Sequence, residues 1–208
     1  MTAVSAPEVR GRRLIPSAPR VLRLAALLLL GAPCLVALPA RPAERELQPW
    51  QGAPKPGFAL PDLAGAERAL AEFGGRPVLV HFFATWCAPC RPEMEALQRL
   101  AARPEAGAHA IVSISIAEPD LRVRRFFEEM PVGFPVLLDS DRAAARAWEV
   151  YGLPTSFLLD ASLAPRLFVE ADLDWDAVDL AALLDLLAGP AMAGDPPERQ
   201  LEDTEETP

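Results

Sequence analysis

Hydrophobic and polar positions change period several times along this chain. Residues 24–40, LAALLLLGAPCLVALPA, form an apolar run without a charge. Residues 41–57, RPAERELQPWQGAPKPG, hold four prolines, two glycines and no apolar period, which predicts a linker. Phe58, Leu60 and Leu63 open the folded part as a short strand or hairpin, and Gly74-Gly75 with Pro77 interrupts it. Val78 to Phe83, VLVHFF, is rich in β-formers and lacks alternation, the pattern of a central strand buried on both faces. After the turn ATWCAP, Met94, Leu97, Leu100 and Ala101 recur at helical spacing up to Arg103.

A second apolar strand follows at Ala110 to Ile116, then a mixed-charge helix over Asp120 to Met130 and a short apolar stretch at Pro135 to Leu138. Asp141 to Glu149 reads as a third helix with Asp141 as its cap. Ser156 to Leu159 and Arg166 to Val169 flank a turn and predict a hairpin, and Asp176 to Ala188 is a periodic last helix. Residues 189–208 are acidic, contain four prolines and predict a disordered tail. The order β, α, β, α, β, α, β, β, α implies an α/β sheet with helices on both faces and an antiparallel hairpin at one edge, over residues 58–188.

Charge sharpens the picture at the two ends. The net charge of −9 argues against a nucleic-acid partner. Arg10, Arg12, Arg13, Arg20 and Arg23 precede the apolar run, so residues 1–23 are expected on the cytoplasmic side and 24–40 as a transmembrane signal-anchor, with the domain exported. The alternative, a cleaved signal peptide, fits less well, because Leu38 and Pro39 precede the candidate site after Ala40.

The chemistry centres on FFATWCAPCRPE. A zinc site needs four ligands, and besides Cys87 and Cys90 the chain has only Cys34 in the apolar run and two histidines, His81 and His109, not spaced as a pair. No metal site is expected. A structural staple closing so small a loop restrains the unfolded chain little. Redox chemistry fits better: Cys87 is expected at or just before a helix N-terminus, where free N–H groups and the dipole favour thiolate, with Pro89 in the first helical turn. Cys90, one turn in and shielded, is then the resolving thiol and Cys87 the exposed nucleophile. Pro154, in VYGLPTSFLLD, stands between a glycine and a strand, a position suited to a cis proline that faces an extended substrate.

WCAPC after an apolar strand, RPEM just after it, GLPT before a later strand, and LLD then DLDWD toward the end resemble the membrane-anchored TlpA/ResA/DsbE (CcmG) group of thioredoxin-like proteins, from about Gly57 to Ala188. The resemblance implies a thioredoxin fold, a central mixed sheet flanked by helices, with a short N-terminal β extension. It implies a thiol-disulfide oxidoreductase in the inner membrane with its domain in the periplasm. Such a protein reduces disulfides of exported proteins, often in cytochrome c maturation, with electrons from a membrane donor of the DsbD/CcdA type. No cofactor is implied beyond a redox-active Cys87–Cys90 disulfide. Glu93 matches an acid that tunes the cysteines in some members; three residues after Cys90, it is placed to take or return a proton. Trp86, Ala88, Pro89, Leu153, Pro154 and Thr155 are the implied substrate-binding residues.

Two positions depart from the group. His81 stands where thioredoxin has a buried acid, and reads as a core histidine rather than a proton relay. Glu170-Ala171-Asp172 replaces the group's usual glycine before the acidic-Trp motif, which bears on substrate choice. Ala-Pro between the cysteines offers no cation to stabilise the Cys87 thiolate, so the expected direction is reduction. The alternatives are a disulfide oxidase or isomerase, and a tethered assembly factor with a redox-silent pair.

Overall fold

The computed structural model describes residues 45–189, so the basic N-terminus, the expected anchor at 24–40 and the tail beyond Gly189 lie outside the described residues. Its strands are β1 (Gln48–Pro49), β2 (Ala59–Pro61), β3 (Glu67–Ala69), β4 (Val78–Phe83), β5 (Ala110–Ile116), β6 (Val136–Asp139), β7 (Thr155–Leu159) and β8 (Pro165–Val169). Its helices are α1 (Cys90–Ala101), α2 (Asp120–Glu129), α3 (Ala143–Ala147) and α4 (Leu180–Ala188). Six strands form one mixed sheet in the order β1-β8-β7-β4-β5-β6. β4 pairs in parallel with β5 and antiparallel with β7, from Val78 opposite Ala110 and Leu159. This is a thioredoxin fold, as expected, and the β7–β8 hairpin supplies the antiparallel part.

Strand parity sorts the core into two layers. Leu79 and Phe83 of β4 and Ile111 of β5 face the cluster that holds Met94, Leu97 and Leu100 of α1, Val123 and Phe127 of α2, and Leu183 and Leu187 of α4. Val78, Val80 and Phe82 face the opposite cluster, with Leu70 and Phe73 of a 3-10 turn, Ala144 and Ala145 of α3, and Trp148. Both faces of β4 are therefore covered, which explains its missing alternation. Each fully buried Leu or Phe contributes about 1.5–3 kcal/mol, so the two layers together hold the sheet in place. Trp148 packs against Phe58, Phe82 and Phe157 at ring-centroid distances of 5.8, 5.6 and 5.2 Å.

Three expectations need correction. The segment 41–57 is not simply a linker: Gln48 and Pro49 pair with Phe168 and Leu167 at the β8 edge. The Trp50 ring packs edge-on against Phe157 and Phe168, and Lys55 Nζ sits 4.2 Å over Trp50 and 2.8 Å from Glu149. A strand of two residues carries no readable period, and Pro49 is tolerated because it lies on the outermost strand. At the other edge Asp62 bridges to Leu137 of β6, so the N-terminal extension touches both ends of the sheet that would otherwise template pairing.

The third helix is shorter than expected. Asp141 does accept the Ala143 N–H at 2.9 Å, but buried Asp139 accepts those of Ala144 and Ala145 at 3.1 and 2.8 Å and so holds the start. The helix stops early because Glu149 takes a left-handed φ of 57°. The last helix begins at Leu180, not Asp176, capped by Asp179, which accepts the Ala182 N–H at 3.1 Å. The Arg103 guanidinium donates to the carbonyls of Trp175, Asp176 and Val178 at 3.2, 3.0 and 2.9 Å, engaging groups that an earlier helical turn would use.

Trp50→Ala is expected to lower the unfolding free energy by about 1–3 kcal/mol in urea titration, because it strips two aromatic contacts and a cation–π partner. A change within about 0.5 kcal/mol, as for a surface linker residue, contradicts this packing.

Candidate active site

The chain leaves the sheet at Ala84 and makes two successive turns, with the Cys87 N–H donating to the Ala84 carbonyl and the Cys90 N–H to the Cys87 carbonyl, each at 3.1 Å. α1 then starts at Cys90, with Pro89 at its N-cap. Cys87 thus lies in the turn before the helix, and Cys90 occupies the first helical position rather than one turn in. Pro92 sets this start: it cannot donate to Ala88, and its ring would clash with the Ala88 carbonyl in a longer helix. The positive end of α1 still points at the pair.

Cys87 and Cys90 are joined in a disulfide. Cys87 is 6% exposed and Cys90 1%, so the nucleophile expected to be exposed is itself largely covered, although the order is as expected. What distinguishes them is access. A groove of about 360 Å³ is lined by Cys87 but not Cys90. Trp86, Ala88 and Pro89 also line it, facing Ile116 and the run Val150 to Leu153, with Arg142 in the wall. Trp86 and Tyr151 are 64% and 82% exposed, large apolar surfaces beside the reactive sulfur. The Leu153–Pro154 peptide is cis, as expected. Pro154 and Thr155 are buried and do not line the groove, and the Thr155 hydroxyl instead donates to the Gly152 carbonyl at 2.9 Å. Glu170 lies against Gly152: a Cβ there would meet its Oε1 at 2.7 Å.

Glu93 is not a solvated surface acid. It is 3% exposed on the inner face of α1. Its Oε1 accepts the Trp175 indole N–H at 2.7 Å and the Leu173 N–H at 3.4 Å, while its buried Oε2 has no hydrogen-bond partner among the described residues. Burial pushes its pKa up to about 7; the Trp175 and Leu173 bonds pull the other way, and the Asp172 charge adds to the rise. A cleft of about 280 Å³ beside it is lined by Pro89, Pro92, Asp172 and Asp174. The Trp175 turn is itself tied to α1, since Arg99 pairs with Asp176 at 2.7 Å.

Two more polar groups are buried, one on β4 and one against the turn that follows it. His81, fully buried, has Nδ1 2.9 Å from the Ser156 hydroxyl, and burial lowers its pKa to about 3, so it is a neutral core histidine. Glu118 accepts the Thr85 N–H at 2.7 Å, the Thr85 hydroxyl and the Ser115 hydroxyl, which fixes the residue before Trp86. Sequence reasoning missed Glu118, Trp175 and Arg142 as site residues. DLDWD marked Trp175 as part of a motif without a role; Glu118 and Arg142 carry no local signal, because they reach the pair only through the packing of the sheet.

Comparison with known proteins places these residues in context. The AhpC/TSA family matches residues 51–163. The thiol-disulfide oxidoreductase ResA of Geobacillus thermodenitrificans is 35% identical over 109 residues, 52% of this chain, and the match spans 63% of that protein's length. The thioredoxin-like protein YneN of Bacillus subtilis is 33% identical over 121 residues, 57% of this chain and 70% of that one. A DsbE-type thiol:disulfide interchange protein of Chlorobium tepidum superposes with a TM-score of 0.60 at 28% identity, covering 67% of this chain and 99% of that one.

A carboxyl whose pKa rises from 4.5 to about 7 on folding binds more protons folded than unfolded across that interval, so its burial costs stability as pH rises through it and nothing below it. The unfolding free energy of the oxidised wild type relative to Glu93→Gln is therefore expected to fall by a few kcal/mol between pH 4.5 and 7 and to level off above, at about 1.4 kcal/mol per pKa unit. A pH-independent difference contradicts the displaced carboxyl.

Proposed function

This chain belongs to the AhpC/TSA family, and on that premise we propose that it is a thiol-disulfide oxidoreductase that reduces disulfides of exported proteins. The observation that carries the reading is the groove that opens onto Cys87 and not Cys90, with the buried carboxyl of Glu93 three residues beyond Cys90. In the reduced protein the Cys87 thiolate attacks one sulfur of a client disulfide. The client bond breaks, a mixed disulfide forms, and the first client sulfur leaves and takes a proton. The Cys90 thiolate then attacks Cys87 Sγ, which re-forms the Cys87–Cys90 disulfide and releases the second client thiol. Two electrons pass from the protein dithiol to the client.

Cys90 has to lose a proton inside the fold before it can act. A carboxyl with a pKa of about 7 is matched to accept that proton near neutral pH and to pass it on through the neighbouring cleft. Trp175 holds the carboxyl by Oε1 and leaves Oε2 for the exchange.

Residues 24–40 serve as the anchor and put the domain on the extracytoplasmic side, where cysteines are oxidised by default and a reductant is useful. The oxidised pair is then reset by a membrane dithiol donor of the DsbD/CcdA type. The resemblance to the ResA and DsbE (CcmG) group points to apocytochrome c before haem attachment as a client. Cys90→Ser is expected to accumulate mixed disulfides between Cys87 and client proteins in membranes, visible as thiol-sensitive bands on non-reducing gels, and Cys87→Ser to accumulate none. Equal trapping by both variants, or none by Cys90→Ser, refutes the assigned roles.

A further inference from the structure

We infer that Arg142 selects clients that carry an acidic side chain close to the disulfide, an inference that rests on the reductase reading above. The groove beside Cys87 is walled by Trp86, Ile116, Val150 and Leu153, and among its described lining residues Arg142 alone carries a charge. The Arg142 side chain is exposed and makes no hydrogen bond or ion pair among the described residues. The acids close to it in sequence hold other groups. Asp139 accepts the Ala144 and Ala145 N–H groups and Asp141 the Ala143 N–H. Glu149 pairs with Lys55. Glu170 packs on Gly152 without lining the groove.

The backbone that presents this guanidinium is held firmly. Arg142 sits in the left-handed region at φ 62°, its N–H donates to the Asp139 carbonyl at 3.1 Å, and its carbonyl accepts the Arg146 N–H at 3.0 Å. A bulky residue in that conformation is disfavoured locally and persists because its surroundings fix it. An extended client segment that lays its disulfide against Cys87, and apolar side chains on Trp86 and Tyr151, expels water from the groove. A neutral client leaves the guanidinium desolvated and unpaired, a cationic client repels it, and a carboxylate pairs with it. The preference therefore comes both from the bond gained and from the penalty on the other clients.

The test uses acetylated, amidated disulfide peptides identical except for Glu, Gln or Lys two residues from the reacting cysteine. The pre-reduced full-length protein in detergent is mixed with each, and the second-order rate of peptide reduction is measured in a single turnover. The Glu peptide is expected to react roughly tenfold faster than the Gln peptide, the range of a charge-assisted bond in a desolvated site, and the Lys peptide slowest. The spread should narrow with added salt. Arg142→Gln is expected to bring the three rates together and Arg142→Glu to reverse their order, a gain for the Lys peptide that misfolding does not produce. Equal rates for all three peptides with the wild type overturn the inference. So does an equal loss on all three in Arg142→Gln, which would instead assign the cation to the Cys87 thiolate. If the reduced wild type reacts with none of the peptides, the reductase reading itself fails and the inference falls with it.

Discussion

The double burial of β4 is the constraint on which the site depends. The strand is hydrogen-bonded on both sides, to β5 and β7, and covered on both faces, so its exit at Ala84 is held in three dimensions. The Ala84 carbonyl takes the Cys87 N–H, the Cys87 carbonyl takes the Cys90 N–H, and α1 starts there because Pro92 forbids an earlier turn. The positions of both sulfurs thus follow from a strand end, two turn hydrogen bonds and Pro92. The groove follows in the same way, since β7 pairs with β4 and the Val150–Leu153 run that leads into β7 lines the groove with Cys87.

Around that fixed point the fold tolerates polar groups that a purely stable core would not keep. Glu93, Glu118 and His81 are all buried close in the structure to β4 or α1. Glu118 is satisfied by three donors and acts as a brace on Thr85. Glu93 and His81 each keep one buried atom without a hydrogen-bond partner among the described residues. Such orphans cost about 1–3 kcal/mol each, and one that also titrates near working pH is a candidate for a role in the site. Glu93 meets that condition and His81 does not, because its ring stays neutral. The Trp175 indole converts a costly carboxyl into an oriented one.

Much of this was legible in the residues. VLVHFF announced a strand covered on both faces, and the spacing of Met94, Leu97 and Leu100 announced the face of α1 that meets it. The cysteine pair and Pro154 were readable because turn chemistry leaves local marks. The rest was hidden for definable reasons. Gln48–Pro49 is too short to show a period, and only its pairing with β8 makes it a strand. Asp139 and Glu118 look like ordinary surface acids, yet both are buried and accept backbone N–H groups, one at the start of α3 and the other at a residue 33 positions away. The start of the last helix has no local mark, because Arg103, far upstream, engages the Trp175, Asp176 and Val178 carbonyls. Glu93 could not be told from a solvated acid by spacing alone, since the residues that bury it come from a turn about eighty positions later.

The central claim is that this pair gives electrons to client disulfides. Its most direct measure is the midpoint potential of Cys87–Cys90, obtained by equilibrating the protein with defined ratios of oxidised and reduced dithiothreitol or glutathione and quantifying the dithiol form by thiol alkylation. With Ala-Pro between the cysteines and no cationic side chain in that dipeptide, the account predicts a value on the reducing side, nearer about −270 mV than about −120 mV. A potential above about −180 mV would contradict it and identify the pair as an oxidant or isomerase.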